Sequence, residues 1–307
     1  MPVLLNETIN SLNIKNPGIF IDCTFGQGGH SKLILNNITH QSKLYAIDKD
    51  PSTIKYAKEI IHPNFKFIHG SFSNILQYTK QYNITGKVNG ILLDLGTSIS
   101  QLTVANRGFS FLLDGPLDMR MNPSHGISAK QWINSSAEHN IATVLKNFGD
   151  ERFAKKIAHA IIQYRLTNKL ISRTSELSNI IQKIVPNQNR KKHPATRSFQ
   201  AIRIFINNEI KELKILLKHT LKILKPGGRL SIISFHSLED KIVKKFIIKH
   251  SQKITIPRNV PITEIQRNKL SKVSLKKIKK IVPSITEINL NPHSRSAILR
   301  VAEMIKK

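Results

Sequence analysis

The sequence predicts an α/β protein with a doubly wound, mostly parallel sheet and an inserted helical domain. Four short apolar segments are rich in β-branched residues and are bounded by Gly, Asp or Pro, which is typical of strands buried on both faces of a sheet. They comprise residues 18–22, 43–48, 90–94 and 229–235. Helical patterns alternate with the first three segments, and this alternation indicates parallel strands joined by crossover helices.

The first half of the sheet follows directly from this alternation. Helical patterns occupy residues 31–36 and 51–60, and residues 65–69 form a further candidate strand. The spacing then changes, because about 135 residues separate the third segment from the fourth, whereas one crossover unit needs roughly 30. The sequence therefore predicts an insertion between these two strands.

The insertion has the pattern of a helical domain. Helical periodicity covers residues 137–148, 151–164 and 174–185, and one long amphipathic stretch covers 196–224 before Lys225-Pro226-Gly227-Gly228 ends it. We predict a first part of the sheet domain at 1–104, an inserted helical domain for substrate recognition at 105–210, and the second part of the sheet domain at 211–307. Near the end, residues 257–280 are interpreted as a basic arm, and residues 285–290 and 297–302 as a closing hairpin.

The charge of the chain restricts its partners. A formal net charge of +29 favours a polyanion, either nucleic acid or an acidic membrane surface. No apolar run approaches the roughly 20 residues of a spanning helix, and the first residues lack the pattern of a signal peptide. We therefore expect a cytoplasmic protein without a membrane partner. More than half of the lysines are expected to be ordinary solvated side chains, so the charge supports nucleic-acid binding without proving it.

A glycine-rich loop follows the first predicted strand. It reads Asp22-Cys23-Thr24-Phe25-Gly26-Gln27-Gly28-Gly29-His30, and a helical pattern begins at once. A strand, a glycine-rich turn and a helix bring the backbone close to a nucleotide-like ligand. A dinucleotide fingerprint requires glycine where this chain has Ser31, so a pyrophosphate is disfavoured. S-adenosylmethionine (SAM) is a nucleoside ligand without a phosphate and is compatible with this loop. Either Asp22 or the loop amides would then lie near the charged methionyl end of SAM.

Two carboxylates end the neighbouring predicted strands. Asp48 lies 22 residues after Gly26, the spacing at which an acid reaches the ribose hydroxyls of a bound nucleoside. Asp94 ends the next strand at the edge where open α/β sheets hold ligands. A helix N-cap or a turn carboxylate is an equally good interpretation of Asp94. Cys23, the single cysteine, excludes an internal disulfide and a cysteine-rich zinc site, and no metal site is expected.

The chain resembles the RsmH (also called MraW) 16S rRNA cytosine-N4 methyltransferases over nearly its whole length. The matching blocks comprise residues 2–7, 22–35, 46–51, 90–102, 107–111, 114–121, 148–160, 193–209, 226–243 and 291–303. The resemblance implies a Rossmann-like class I SAM-dependent methyltransferase sheet, SAM as cofactor, and 16S rRNA in the small ribosomal subunit as partner. It also implies methyl transfer to the N4 amine of a P-site cytidine. The oligomeric state is not decided by the sequence, which leaves a homodimer open.

The resemblance also implies the cofactor contacts. Carried over position by position, they are Gly28, Gly29, His30, Asp48, Phe72, Asp94 and Gln101. The chain departs from the family pattern at three places, with Cys23 for a glycine, Thr97-Ser98-Ile99 for Val-Ser-Ser, and Thr103 for an aspartate. None of these departures removes a predicted contact.

The expected chemistry is alignment of a weak nucleophile with an electrophilic methyl group. The lone pair of a cytosine amine is delocalised into the ring, so hydrogen-bond acceptors near the amine would promote transfer. We predict Asp94 as the catalytic acceptor and Asp118 as a second candidate. The arginines to be tested for RNA contact are Arg107, Arg120, Arg197, Arg203 and Arg295, each of which is as consistent with a structural ion pair. His193 and His236 are interpreted as hydrogen-bonded structural residues rather than catalysts.

Three alternatives share part of this pattern. A DNA amino-methyltransferase would carry an Asp/Asn/Ser-Pro-Pro-aromatic string where this chain has Asp94-Leu95-Gly96. A basic ribosome-assembly protein with a vestigial methyltransferase fold would not need the intact glycine loop and Asp48. A nicotinamide oxidoreductase is disfavoured by Ser31 and by the lack of a convincing proton donor.

Overall fold

The structure is a computed structural model that describes residues 2–167, 170–186, 193–252 and 273–305. The chain divides into two compact units, one formed by Met1–Gly96 with Glu212–Lys307 and one formed by Thr97–Lys211. The predicted boundaries of the inserted domain are residues 105 and 210, and a role of this domain in substrate recognition stays a prediction. None of the helices in the described ranges is long and apolar enough to cross a membrane.

The first unit contains a seven-stranded sheet. Its strands are β1 Ile19–Asp22, β2 Lys43–Asp48, β3 Phe65–His69, β4 Val88–Asp94, β5 Leu224–Ser234, β6 Leu275–Ile281 and β7 Ile298–Met304. The order across the sheet is β3-β2-β1-β4-β5-β7-β6. Strands β1 to β5 pair in parallel, and β7 is antiparallel to both β5 and β6. The order β3-β2-β1-β4-β5 is that of a Rossmann sheet, so the predicted Rossmann-like α/β fold is confirmed.

Helices of both units account for most of the remaining described chain. In chain order they are α1 Leu5–Leu12, α2 Gly29–Asn37, α3 Ile54–Lys58, α4 Ile75–Gln81, α5 Ile99–Thr103, α6 Ala129–Ser135, α7 Glu138–Gly149, α8 Ala154–Leu166, α9 Thr174–Ile184, α10 Thr196–Ile206, α11 Glu209–Ile223, α12 Ser237–Ser251 and α13 Ile285–Leu290. Helices α5 to α10 belong to the second unit. Its core is formed by apolar side chains of α6 to α10 together with Leu117 and Met119.

Alternating side chains bury the sheet on both faces. Ile21, Ile91 and Leu93 pack on one face with apolar residues of α4, α11 and α12. Phe20 and Leu92 pack on the opposite face with residues of α1 and α2. Successive side chains of a strand point to opposite faces, so a strand that is covered on both sides is apolar throughout. This is why the central strands read as continuous apolar segments.

The amphipathic stretch predicted at 196–224 forms two helices, because the chain breaks between α10 and α11. The side chain of Asn207 accepts a hydrogen bond from Met121 N (2.7 Å) and donates one to the carbonyl of Met119 (2.7 Å). Asn208 then adopts a left-handed conformation with φ 52°, which asparagine tolerates better than most residues. Amphipathic periodicity continues across this break and therefore hides it.

The predicted closing hairpin is wrong in its first strand. Residues 285–290 form α13, whose N-cap Ser284 accepts a hydrogen bond from Glu287 N (3.1 Å). The partner of β7 is instead β6, the lysine-rich strand Leu275–Ile281. Ser284 followed three residues later by Glu287 is a helix-start pattern that outweighs the β-branched composition of the segment. Of the predicted basic arm at 257–280, residues 257–272 lie outside the described residues.

Replacing Asp240 by asparagine is expected to lower the free energy of unfolding by about 3 kcal/mol. Both oxygens of Asp240 accept hydrogen bonds from Arg300 (2.6 and 2.9 Å), and both side chains are largely buried, at 16% and 10% exposure. The variant leaves the arginine charge without its partner. Urea unfolding followed by circular dichroism measures the loss. Asp150→Asn is the control, because the ion pair of Asp150 with Lys146 is exposed and should contribute less than about 1 kcal/mol.

Candidate active site

Three aspartates end adjacent parallel strands. Asp22 is the last residue of β1, Asp48 of β2 and Asp94 of β4, and these strands lie in the order β2-β1-β4. Parallel strands present their carboxyl ends at one edge of the sheet, which is where open α/β sheets bind ligands. The structure therefore brings Asp48 and Asp94 to the same edge, on either side of β1.

The loop between β1 and α2 is fixed by both neighbouring strands. Cys23 N donates to the carbonyl of Leu92 (2.9 Å) on β4, and Phe25 N donates to the carbonyl of Ile47 (3.0 Å) on β2. Gly28 has φ 79°, and a Cβ at this position would lie 2.9 Å from the Phe25 ring. Only glycine fits this combination of left-handed backbone and close packing. The loop thus holds the N-terminus of α2 at the edge occupied by the three aspartates.

Asp22 serves the loop itself. Its side chain is fully buried, Oδ1 accepts a hydrogen bond from Thr24 N (3.1 Å), and Oδ2 accepts one from Ser31 Oγ (2.7 Å). Burial raises the pKa of Asp22, and the nearby His30 partly offsets this effect. Of the two groups predicted near the methionyl end of a cofactor, the loop amides therefore fit better than Asp22.

Asp48 connects the loop to the end of β2. Its Oδ2 accepts a hydrogen bond from Gly26 N (2.7 Å), and its Oδ1 accepts one from Asp50 N (2.9 Å). Burial raises the pKa of Asp48 to about 6, although the two backbone donors lower it. Each carboxylate oxygen has two acceptor positions, so Asp48 can still accept from hydroxyl groups of a ligand.

Asp94 has a buried oxygen without a partner. Its backbone N–H donates to Thr24 Oγ1 (2.6 Å), and its Oδ2 lies 3.7 Å from His30 Nδ1. Oδ1 is buried and makes no hydrogen bond within the described part of the chain. Burial raises the pKa of Asp94 to about 6. An unsatisfied buried carboxylate oxygen is unfavourable, which indicates that a ligand completes its environment.

The structural alternative for Asp94 does not hold. The next helix, α5, has Ser98 as its N-cap, and the Ser98 hydroxyl accepts a hydrogen bond from Gln101 N (3.3 Å). The Asp94 carboxylate itself caps no helix in the described residues. A turn role would require a hydrogen bond to a nearby backbone N–H, and the unpaired Oδ1 argues against it.

The N-terminal segment closes one side of the loop, a feature that the sequence analysis missed. His30 is 5% exposed, and its Nε2 lies 3.1 Å from the carbonyl of Val3. A Cβ on Gly29 would lie only 2.2 Å from Pro2 Cγ. Leu4 N donates to Glu287 Oε1 (2.7 Å). The ring of His30 therefore faces the protein interior, and the only sequence signal for this packing is the matched block at residues 2–7.

The two remaining predicted cofactor contacts have defined local positions. Phe72 begins a short 3-10 helix, Phe72–Asn74, and its half-buried ring packs against the apolar core of the sheet. Gln101 belongs to the helical unit, where its Oε1 accepts a hydrogen bond from Ser98 N (3.1 Å) in a capping box. Their contact with a cofactor stays a prediction.

Most of the candidate RNA-binding arginines have structural partners. Arg120 binds Asp118 through two hydrogen bonds (2.8 and 2.7 Å), and Arg203 binds Glu209 in the same way (2.9 and 3.0 Å). Arg107 donates to the carbonyls of Arg120 and Met121, and Arg197 donates to the carbonyl of Asp150. Arg295, by contrast, is exposed. Arg120 occupies both oxygens of the Asp118 carboxylate, and the catalytic roles predicted for Asp94 and Asp118 stay predictions.

Both candidate histidines have local structural contacts, as the sequence analysis expects. His193 stacks on Phe111 with ring centroids 4.5 Å apart, and its Nδ1 accepts from Ala195 N (3.2 Å). His236 caps α12, because its Nδ1 accepts from Glu239 N (3.4 Å), and its Nε2 lies 3.0 Å from Glu239 Oε1.

The single cysteine is unsuited to nucleophilic catalysis. Cys23 is 1% exposed. Burial and the charge of Asp22 raise the pKa of its thiol well above the ordinary value. A thiolate nucleophile requires partial exposure and an electropositive environment, and Cys23 has neither. Mechanisms that need a covalent cysteine adduct, such as carbon-5 methylation of cytosine, are therefore disfavoured.

The electrostatics of the site favour a cationic ligand. Burial raises the pKa of Asp22, Asp48 and Asp94, so the three carboxylates are poorly compensated where they meet. A positive charge near them would stabilise their ionised forms. SAM carries a sulfonium and an ammonium group, whereas a dinucleotide would bring a doubly negative pyrophosphate to the same place. The residues present therefore fit SAM and disfavour a nicotinamide dinucleotide.

Comparison with known proteins finds one family model and several close relatives. The model described as the MraW methylase family matches residues 1–305. Ribosomal RNA small subunit methyltransferase H of Buchnera aphidicola subsp. Acyrthosiphon pisum (strain APS) is 54% identical over 304 residues, which covers 99% of this chain and 97% of that protein. The protein of the same name from Hamiltonella defensa is 53% identical over 303 residues, with 99% and 97% covered. Among solved structures, an rRNA methylase from Streptococcus thermophilus aligns with 100% of this chain and 98% of that chain, at 11% identity and a TM-score of 0.42.

Proposed function

Because this chain belongs to the MraW methylase family, we propose that it is a small-subunit rRNA methyltransferase that methylates the N4 amine of a P-site cytidine. S-adenosylmethionine is the methyl donor. The observation that carries the proposal is the buried, unpaired Oδ1 of Asp94 at the carboxyl edge of the sheet. A carboxylate oxygen in this position can accept a hydrogen bond from an amine or stabilise a nearby cation.

The residues that would hold SAM come from several elements. The first N–H groups of α2, from Gly29 and His30, have no partner inside the helix and would bind the methionyl carboxylate. Asp48 would accept from the ribose hydroxyls, and the ring of Phe72 would lie beside the adenine. Gly28 and Gln101 are the two remaining cofactor contacts that the family resemblance implies. When bound, SAM supplies a methyl group activated by its positively charged sulfur.

Asp94 is the residue proposed to assist transfer. The cytosine amine must present its lone pair to the methyl group, and an acceptor for one of its N–H groups both orients it and favours that lone pair. The Oδ1 of Asp94 is available for this contact, and the Oδ2 faces His30. Asp118 is the weaker candidate, because Arg120 binds both of its oxygens.

The rRNA substrate sets a further requirement. A cytidine in folded rRNA has to leave its stack before it reaches the edge of a sheet. We propose that the helical unit Thr97–Lys211 recognises the RNA around the target. Exposed Arg295 is the candidate among the five predicted arginines for direct contact with phosphate or base.

The test is a direct assay of the product. Purified protein, labelled SAM and small ribosomal subunits from a strain that lacks the modification are incubated together, and the rRNA is digested to nucleosides. The expected result is labelled N4-methylcytidine. Label in another nucleoside would replace the proposed target with a different nucleic-acid amine or carbon. No label, together with no SAM binding in calorimetry, would favour a basic assembly protein with a vestigial methyltransferase fold.

A further inference from the structure

Helix α12 and the edge strand β6 carry a concentration of lysines. Eight exposed lysines lie on these two elements: Lys241, Lys244, Lys245, Lys249, Lys276, Lys277, Lys279 and Lys280. On α12 they recur at intervals of three and four residues and therefore form one stripe along the helix. We call the four lysines of α12 together with Lys277 and Lys280 the α12–β6 lysine surface.

The positive charge of this surface is not neutralised by nearby acids. None of the eight lysines makes an ion pair with another described residue. The acidic residues of the surrounding elements are already paired, with Asp240 bound to Arg300, Glu239 in contact with His236, and Glu303 bound to Arg229. After Asp240, the rest of α12 contains no acid, and β6 contains none. The surface therefore has an uncompensated positive potential.

Strand register places lysines of β6 on the same side of the sheet as α12. Lys280 lies opposite Arg300 on β7, and Lys277 lies opposite Ala302. Residues directly opposite in an antiparallel pair share a face, and Arg300 uses that face to bind Asp240 at the start of α12. Lys277 and Lys280 therefore adjoin α12 and continue its lysine stripe across the sheet edge, whereas Lys276 and Lys279, opposite Glu303 and Val301 on β7, lie on the other face.

Protection of the sheet edge does not account for all of these lysines. Lysine on an edge strand prevents pairing with other chains, and this explains part of the composition of β6. It does not explain the stripe on α12, because a helix has no unpaired backbone edge. The shared property of the two elements is positive charge directed to solvent.

The surface begins close to the candidate active site. Asp94 on β4 lies opposite Ile233 on β5, which lies opposite Leu299 on β7, which lies opposite Ile281 on β6. Neighbouring strands are about 4.8 Å apart, so three steps across the sheet amount to roughly 14 Å. Lys280, next to Ile281, is therefore at the end of the surface nearest Asp94.

We propose that the α12–β6 lysine surface binds the phosphodiester backbone of the rRNA that flanks the target nucleotide. The proposal rests on the proposed rRNA substrate. Unpaired lysines bind phosphates without regard to base, and each contact releases counterions, so that binding weakens as salt rises. The surface thus holds the RNA strand near the edge of the sheet, and base selection takes place elsewhere.

A charge-matched pair of variants tests this surface. The first variant combines Lys244→Gln, Lys245→Gln, Lys277→Gln and Lys280→Gln. The control combines Lys15→Gln, Lys32→Gln, Lys58→Gln and Lys80→Gln, which are exposed lysines of the first unit outside α12 and β6. Both variants lose the same net charge. The dissociation constant for small subunits is measured for each from low to moderate salt, and SAM binding is measured by calorimetry.

The first variant is expected to bind small subunits at least about tenfold more weakly near 0.15 M salt, with unchanged SAM binding. Each lost phosphate contact reduces the magnitude of the slope of log affinity against log salt by roughly 0.7 to 0.9, so loss of all four contacts should reduce it by roughly 3. The slope measured for the control should differ from the wild-type slope by no more than the change expected for about one phosphate contact. Equal slopes in the two variants would refute the proposal that this surface binds the rRNA backbone.

The remaining outcomes distinguish this proposal from the proposed reaction and from a membrane contact. If the wild type makes no N4-methylcytidine but the first variant still loses salt-dependent binding to small subunits, the proposed reaction fails and the surface stands. If the four substitutions abolish binding to vesicles of acidic phospholipid and leave subunit binding unchanged, the surface is a membrane contact and the proposal is wrong.

Discussion

Replacing Asp94 by asparagine is expected to lower kcat for rRNA methylation by roughly 100- to 1,000-fold, the range found when a charge-stabilising group is removed from an active site. The amide keeps the shape of the side chain but loses the negative charge at Oδ1, which is the buried oxygen without a partner. Single-turnover methylation of small subunits measures the chemical step directly. Asp118→Asn is the comparison, and we expect a change of less than about tenfold there.

The same substitution is expected to stabilise the fold. Asp94 ionises with a pKa of about 6 in the folded protein because it is buried, and with an ordinary, lower pKa when the chain unfolds. Above pH 6 the folded state therefore bears the cost of a buried charge, which is about 3 kcal/mol. Asp94→Asn removes this cost, so its unfolding free energy should exceed that of the wild type at pH 7.5. The difference should vanish near pH 4, where the folded wild-type carboxyl is protonated.

The pH dependence of catalysis follows from two carboxylates of the candidate site. Asp48 and Asp94 both have a pKa raised to about 6 by burial, and a cationic ligand prefers the ionised forms. In the wild type, kcat/KM for SAM should therefore rise steeply up to about pH 6 and remain level above it. In the Asp94→Asn variant one ionisation is lost, so the acid limb becomes shallower.

A stable Asp94→Asn protein with full turnover would contradict the catalytic assignment. Loss of turnover in Asp118→Asn with none in Asp94→Asn would transfer the role to Asp118. A less stable Asp94→Asn protein would show that the carboxylate supports the fold, contrary to the unpaired Oδ1. Because increased stability and lost activity are expected together, unfolding of the variant cannot account for the expected result.

The central sheet could be predicted because its strands are covered on both faces. Such strands are continuously apolar, as in Ile91-Leu92-Leu93, and the aspartate that ends each one is visible as the first polar residue. The positions of Asp48 and Asp94 followed from this pattern together with the spacing to the glycine loop. For both aspartates, the local sequence pattern and the topology of the parallel sheet indicate the same position.

Other features depended on contacts between distant parts of the chain. The break at Asn207 is caused by its hydrogen bonds to Met119 and Met121, which helical periodicity does not record. The packing of Val3 on His30 likewise joins residues 27 positions apart. The strand predicted at residues 285–290 is wrong for a different reason: the Ser284 to Glu287 capping pattern is present in the sequence, and it outweighs the β-branched composition of the segment.

Replacing Asp48 by alanine is expected to weaken SAM binding by about 100-fold. Hydrogen bonds to a charged group contribute about 1.5 to 3 kcal/mol, and the variant removes the acceptor proposed for the ribose hydroxyls. It also leaves Gly26 N and Asp50 N without their carboxylate partner, so the loop itself loses support. Calorimetric titration with SAM measures the combined effect. Asp50→Asn is the control, because the side chain of Asp50 caps the following 3-10 helix instead.

A ligand change separates the ribose contact from support of the loop. Asp48→Asn retains one oxygen acceptor for the backbone, and SAM is compared with an analogue that lacks a ribose hydroxyl. If Asp48 binds the ribose, loss of the hydroxyl weakens binding to the wild type about tenfold or more and has little effect on the variant. Such a coupling identifies a direct contact, since groups that do not interact give additive changes. Additive losses would instead assign Asp48 to the loop alone, and the ribose would need another partner at the edge of the sheet.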